Sequence, residues 1–364
     1  MLKFRRIRRL KPSASSKSKI YRLRKYMKFY HLSHTDLDGY GAQVITNFYF
    51  KDVKFLNSNY GREIDEKFAA IVSELDGEEA LILITDLNLT MAQCEEFESM
   101  LKGKNAKIFL LDHHQSGAEC ASAFEWYLLD SSRCATKITH DFFASMFGEE
   151  RELKIFSDVV NAVDIWLKDD KNFEMGKVCL GLIANAKEIN KVMFEEQNSL
   201  YMFHLLREAA KFFNDKNDYI GLDMQIHAIK KAFFMTDKDD TLSNLISSYV
   251  VRLLGANKEK FRIDYKDKKG VLTYNIGNTS VIGNDFLVAN PEFDFFIDIT
   301  NKKTMSFRAN GNVDVSAMAK HLVGGGGHVS ASGGLFANFK DGFSYEAIKA
   351  QVVELINKKT QEEI

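Results

Sequence analysis

Four short stretches of the chain gather carboxylates and imidazoles. They are His31, His34, Asp36 and Asp38 in "HLSHTDLDGYGA", Asp86 in "ITDLN", Asp112-His113-His114 in "LLDHHQSG", and Asp164 in "NAVDIW". Carboxylates with a few imidazoles and no thiolates suit Mn²⁺ or Mg²⁺ rather than structural zinc. Taken singly, each acid reads equally well as a helix cap and each His as a satisfied polar group. Collected at one place, the five carboxylates would repel one another unless cations neutralised them. With one carboxylate reaching two ions about 3.5–4 Å apart, such a set lowers the pKa of a water and clamps a phosphoryl oxygen during in-line displacement. That chemistry is phosphoester hydrolysis.

The elements that would position these residues follow from the apolar pattern. Short apolar strands are predicted at Lys28–Ser33, Val53–Leu56, Ala80–Thr85 and Lys107–Leu111, with amphipathic helices at Gly41–Phe50, Arg62–Leu75 and Met91–Leu101 between them. Strand and helix alternating at this spacing make a parallel sheet with helices on its faces, and ligands bind beyond the carboxyl ends of such strands. Three of the four clusters follow predicted strands. Residues 133–250 are predicted mostly helical. Their dense Phe, Leu and Met are packing residues, and His204 and His227 are structural or solvent-facing.

After about Asn257 the texture turns to β ("FRIDYKD", "GVLTYNIG", "FDFFIDIT", "TMSFRAN"), with a hairpin turn predicted at Lys266–Lys269 and Gly270. A helix over Val315–Leu322 then runs into "GGGGHVSASGG". Glycine amides in such a loop can form an anion-binding nest. Arg308, at a strand end, reads as a bidentate phosphate clamp or, equally, as a surface arginine.

Length and charge bound the rest. A chain of 364 residues with 45% apolar residues is long enough for two domains, and no apolar run nears the roughly 20 residues of a membrane-spanning helix. Four scattered cysteines without a CxxC pair fit a reducing cytoplasm, and the expected localisation is cytoplasmic. Residues 1–26 hold eleven Lys/Arg and no acid, which leaves 38 basic against 50 acidic residues in the body, a charge of -12. That body disfavours tight binding to long nucleic acid. The leader reads as a nucleic-acid arm, a transit peptide or, the favoured reading, sequence ahead of a translation start at Met27.

In this order, the five motifs resemble the DHH phosphoesterase superfamily, in the branch with the DHH-associated C-terminal domain. The "HxDxDG" form of the first motif is most similar to the oligoribonuclease (nanoRNase) B subgroup. The resemblance implies an α/β protein. A parallel-sheet DHH domain would span 27–185, a helical connector 186–256 and a smaller α+β substrate-binding domain 257–360, with the active site in the interdomain cleft. It also implies two Mn²⁺ ions, for which Mg²⁺ or Co²⁺ could substitute.

Carried over, Asp36 would bind one metal and Asp38 the other. Asp86 would bridge them, and His113 and Asp164 would complete the second metal. Leu32 stands where many members have a first-motif His, so His34 takes that role, with His31 in reserve. Asp86, Asp112 and His114 would act in catalysis, His114 near the scissile phosphate or the first metal. Arg308, Gly325, Gly326, Gly327 and His328 would hold substrate phosphates.

The expected function is hydrolysis of very short RNA or DNA oligonucleotides, or of dinucleotides such as pGpG, to nucleoside 5′-monophosphates. No membrane partner is expected, and a homodimer is left open. The alternatives are a 3′-phosphoadenosine 5′-phosphate phosphatase, a cyclic-nucleotide phosphodiesterase and, in another class, a non-catalytic nucleotide sensor.

Overall fold

The structure, a computed structural model, describes residues 27–213, 218–237 and 239–362. The basic leader, and the expectation attached to it, lie outside the described residues. The chain divides into two units. One takes the chain up to Asn185 together with Met202–Gln225; the other takes Ala186–Tyr201 and everything from Ile226 onward. The helical stretch 186–256, expected as a separate connector, is thus shared between the units.

The first unit alternates strand and helix as its sequence pattern dictates. In chain order it runs β1 (Met27–Ser33), α1 (Leu37–Tyr49), β2 (Val53–Asn57), α2 (Arg62–Ser73), β3 (Glu79–Thr85), α3 (Met91–Leu101), β4 (Ala106–Asp112), α4 (Ala118–Ala123), β5 (Tyr127–Leu129), α5 (Ala135–Phe147), α6 (Arg151–Asp164) and α7 (Phe173–Ala184). All five strands are parallel, in the order β2-β1-β3-β4-β5. Leu32, Ile82, Ile84 and Leu110 are fully buried, as central strands covered on both faces require. Helices α2 and α3 close one side of this core by stacking Phe68 on Phe97, ring centroids 3.7 Å apart. From β1 the chain crosses to β2 on one side and later to β3 on the other. The strand order therefore reverses between β1 and β3, and a crevice opens at the carboxyl ends of those two strands.

Helices α8 (Glu195–Ala209) and α9 (Tyr219–Phe234) carry residues of both units. The second unit continues with α10 (Leu242–Ala256), α11 (Lys258–Phe261), β6 (Arg262–Tyr265), β7 (Lys268–Tyr274), α12 (Thr279–Ala289), β8 (Phe295–Ile299), β9 (Thr304–Ala309), α13 (Val315–Val323), β10 (Gly326–His328), β11 (Ala331–Leu335) and α14 (Tyr345–Gln361). Its six strands lie in the order β10-β11-β9-β8-β7-β6, with β7 and β8 parallel across α12 and every other pair antiparallel. Phe286, Phe293, Phe295, Phe296 and Phe307 fill its core.

The β6–β7 turn is shorter than predicted. Tyr265 pairs with Lys268, so Lys266 and Asp267 make the turn and Gly270 lies inside β7. Lys266 accepts the positive φ (55°) that the tight reversal needs. Among the described residues no helix is long and apolar enough to cross a membrane.

Candidate metal centre

The β1–β3 switch point is where the acids and imidazoles meet. β1 and β3 run in register to Ser33 opposite Thr85, and the Ser33 and Thr85 hydroxyls lie 2.7 Å apart. The next residues of each chain enter the crevice. His34 Nδ1 lies 2.9 Å from Asp36 Oδ2 and 3.7 Å from Asp86 Oδ2. His113, at the end of β4, sets its Nε2 3.3 Å from Asp86 Oδ1, 3.5 Å from Asp164 Oδ2 and 3.7 Å from Asp38 Oδ2. Asp86 thus faces His34 with one oxygen and His113 with the other.

Each residue is held by a local device. Asp36 is the N-cap of α1 and accepts from the Gly39 amide at 3.0 Å, so the cap reading and the site reading are both true of it. Gly39 must be glycine, because a Cβ there would lie 2.3 Å from the His34 carbonyl oxygen. Asp38, fully buried, accepts from the Ala135 and Thr136 amides at 2.7 Å each. The N-terminus of α5 therefore stabilises that charge. Asp164 is the last residue of α6. Asp86 caps nothing: α3 is capped by Thr90 with Gln93, and Asp86 sits at φ 57°, a left-handed conformation costly for a residue with a Cβ.

Asp112 and His114 form a pair of their own. His114 Nδ1 donates to Asp112 Oδ1 at 2.7 Å, and the Tyr127 hydroxyl donates to Asp112 Oδ2 at 2.8 Å. Against the opposing effect of burial, these contacts hold Asp112 below the usual carboxylate range, and the Asp112 bond raises His114. His114 Nε2 faces the Tyr60 hydroxyl at 3.2 Å.

The electrostatics of the crevice call for cations. Burial first, then the charges of Asp38, Asp36 and Asp164, push Asp86 well above its ordinary value. Burial, then the charges of Asp38 and Asp36, push Asp164 up to about 9. Asp36 goes the other way, to about 2, since His34 and the Gly39 amide outweigh its burial. Among the described residues, buried Asp86 Oδ2 finds no hydrogen-bond partner, and His34 Nδ1, although 2.9 Å from Asp36 Oδ2, does not meet it in hydrogen-bond geometry. Three groupings bring one ligand atom from each member within 4.8 Å of one another: His34, Asp36 and Asp86; Asp86, Asp112, His113 and His114; and Asp38, Cys134 and Asp164. Orphaned donor atoms in an oxygen- and nitrogen-rich set fit divalent metal ions.

His31 does not join them. It is fully buried on β1, and its Nε2 bonds the Thr85 hydroxyl at 2.8 Å. Burial lowers its pKa to about 3, so it is a neutral core histidine. His31 thus contacts the strand beside it, whereas His34 lies among the acids.

The sequence reading missed two residues. Cys134 carries no motif in the sequence, yet its buried thiol joins Asp38 and Asp164, and burial, then those charges, raise its pKa. Tyr60 lies in a polar loop with no motif to mark it. Its ring is 4.7 Å from that of His34 and 5.9 Å from that of His114.

The remaining expected residues belong to the second unit. Arg308 on β9 is in register with Ala331 on β11, and Ala331 with His328 on β10, so all three side chains project to one face. Arg308 donates to the Ser280 hydroxyl and to the Phe307 carbonyl, both at 2.7 Å. Gly324 ends α13 in the left-handed conformation, and Gly326 and Gly327 pair with Gly333 and Ser332. Gly325 packs so closely that a Cβ would lie 2.1 Å from the Gly333 carbonyl oxygen. The glycine run thus has a packing requirement independent of any ligand.

No protein-family model matches the chain. A 3′,5′-cyclic-nucleotide phosphodiesterase of Helicobacter pylori (strain ATCC 700392 / 26695) is 39% identical over 345 residues, which span 91% of this chain and 99% of that protein. The crystal structure of an uncharacterized protein from Helicobacter pylori G27 is 38% identical. It covers 91% of this chain and 100% of its own, and superposes with a TM-score of 0.82.

Proposed function

We propose, from the premise that this chain belongs to the family of the Helicobacter pylori 3′,5′-cyclic-nucleotide phosphodiesterase, that it hydrolyses the 3′,5′-phosphodiester of a small nucleotide with two Mn²⁺ ions. The chain is a phosphoester-hydrolysing enzyme. Our reading sets it within the DHH phosphoesterase superfamily, supported by the Asp112-His113-His114 triplet and the motifs around Asp36, Asp86 and Asp164. Cyclic nucleotides are the first substrate class, because the full-length relative bears that name. Short oligonucleotides and dinucleotides such as pGpG are the second, favoured by the "HxDxDG" form of the first motif. In both classes the P–O3′ bond breaks and a 5′-monophosphate leaves.

The observation that carries the proposal is Asp86, buried and strained between His34 and His113 with one oxygen unpaired. In this reading His34, Asp36 and Asp86 hold one ion, and Asp38, Asp86, His113 and Asp164 the other. Bound there, the ions would neutralise the carboxylates, acidify a water and polarise the phosphoryl group. Asp112 keeps the His114 ring oriented, and Nε2, which faces the Tyr60 hydroxyl, is assigned to the leaving oxygen. Arg308, His328 and the amides of Gly325, Gly326 and Gly327 are assigned to the substrate's phosphates, supported by the shared face of Arg308 and His328.

The test is hydrolysis of cyclic AMP, cyclic GMP, pGpG, a 5-mer RNA and 3′-phosphoadenosine 5′-phosphate in Mn²⁺, Mg²⁺ or Co²⁺. Formation of 5′-monophosphates from cyclic nucleotides or pGpG, abolished by chelation, supports the proposal and ranks the two classes. Phosphate release from the bisphosphate alone moves the enzyme to monoester chemistry, and no turnover under any metal leaves the nucleotide sensor.

A further inference from the structure

We infer that Tyr60 is a specificity-determining residue whose ring stacks on the base of a bound nucleotide; this rests on the nucleotide phosphodiesterase reading above. Tyr60 lies in the loop between β2 and α2, and both flanks of that loop are tied down. The Ser58 amide donates to the Ser33 carbonyl at 2.9 Å, and Asn57 Nδ2 to the His34 carbonyl at 2.8 Å. The Thr35 hydroxyl donates to Asn59 Oδ1 at 3.0 Å, and Asn59 bonds Glu63 Oε2 through its amide (3.0 Å) and Nδ2 (2.7 Å). On the far side the Ile64 amide reaches the Gly61 carbonyl at 3.0 Å.

On this braced loop Tyr60 is 46% exposed. A single exposed aromatic on a surface is ordinary. This one is distinguished by its neighbours: its ring contacts are with the imidazoles of His34 and His114, and its hydroxyl meets His114 Nε2. The loop therefore holds a large, part-apolar face beside the place where a phosphate would be cut. Every base offers a π-face, so such a platform adds affinity without reading base identity. The enzyme should then favour nucleotides over base-free sugar phosphates and discriminate weakly among bases.

The competing account is that the hydroxyl merely orients His114. Tyr60→Phe keeps the ring and removes the hydroxyl; Tyr60→Leu removes the ring. The experiment is a fluorescence titration with the 5′-monophosphate of 2-aminopurine riboside, a product-like ligand whose emission is quenched on stacking. Ribose 5-phosphate serves as a base-free competitor. Wild type and Tyr60→Phe should quench with similar Kd. Tyr60→Leu should lose the quenching and raise Kd about tenfold, the scale of one base–aromatic stack, while its Ki for ribose 5-phosphate stays put. Tyr60→Trp should bind at least as tightly as wild type, which keeps the test decisive if the Leu variant folds poorly. Unchanged Kd and quenching in Tyr60→Leu, an equal loss in Tyr60→Phe, or a Trp variant as weak as Leu would each overturn the inference alone. Failure of the wild type to bind the nucleotide would overturn it together with the reading it rests on.

Discussion

Each unit buries an aspartate where parallel strands end, and the two are treated in opposite ways. Asp298, 1% exposed on β8, is surrounded by donors: the Thr273 hydroxyl at 2.7 Å and the Ile276 amide at 3.1 Å to one oxygen, and the Thr279 hydroxyl at 3.4 Å to the other. Asp86, 2% exposed after β3, is surrounded by other acids, and its Oδ2 has no hydrogen-bond partner among the described residues. The first is a joint that fastens the start of α12 to the sheet. The second has a demand that the protein's own atoms leave unmet. A buried carboxylate is thus informative less by its burial than by whether its oxygens are answered.

The sharpest way to break this comparison is to neutralise Asp86. Asp86→Asn should lower kcat by more than about 100-fold, as expected for loss of a shared ligand. The same change should stabilise the metal-free protein by roughly 1–3 kcal/mol, because it removes a repelled buried charge. Thermal melts in EDTA and in Mn²⁺ should therefore rank wild type and variant in opposite orders. A less stable variant in EDTA would contradict the unmet-demand reading.

At Asp298 the outcome should invert. Asp298→Ala strands the Ile276 amide and leaves the Thr273 hydroxyl only its longer bond to the Ile297 carbonyl at 3.3 Å, and should cost about 1–3 kcal/mol in urea unfolding while leaving metal affinity unchanged. Equal stability would mean that the three donors find other acceptors.

A smaller effect separates the two sites by pH. Burial, then neighbouring acids, pushes Asp164 up to about 9, while burial against its hydrogen bonds pushes Asp298 up to about 7. Both start near 4 in the unfolded chain, so across these windows the folded state binds the extra proton and stability falls as pH rises. The metal-free protein should lose up to about 1.4 kcal/mol per pH unit for each such group, with the second-unit share finished above about pH 7. Mn²⁺ should abolish the slope between pH 7 and 9 and reduce the steeper one below pH 7 to the Asp298 share. Melting curves across pH 5–9, with and without metal, measure this directly.

Much of this was legible in the sequence where the physics is local. The four long strands of the first sheet match their apolar runs within one or two residues, and the acids after β1, β3 and β4 land at one crevice because strand order and direction put them there. β5 escaped because three residues carry too little pattern. The β6–β7 turn is shorter than the pattern suggests, since Lys266 itself supplies the positive φ and the reversal does not need Gly270. His31 and His34 were indistinguishable by type. The difference lies in the strand: His31 falls within β1 beside Thr85, and His34 is the first residue beyond it. Cys134 and Tyr60 needed the third dimension, since each reaches the site from a loop far along the chain from its partners.

That dispersal also governs how the protein assembles. The acids that repel one another follow β1 and β3 or end α6, separated by most of the first unit's chain. In a partly folded chain they are distant and solvated, so their repulsion arises only as the last of these elements docks. A bound cation would accordingly act late on the folding path. It should slow unfolding far more than it speeds folding, making metal a lock on the finished molecule rather than a template for it.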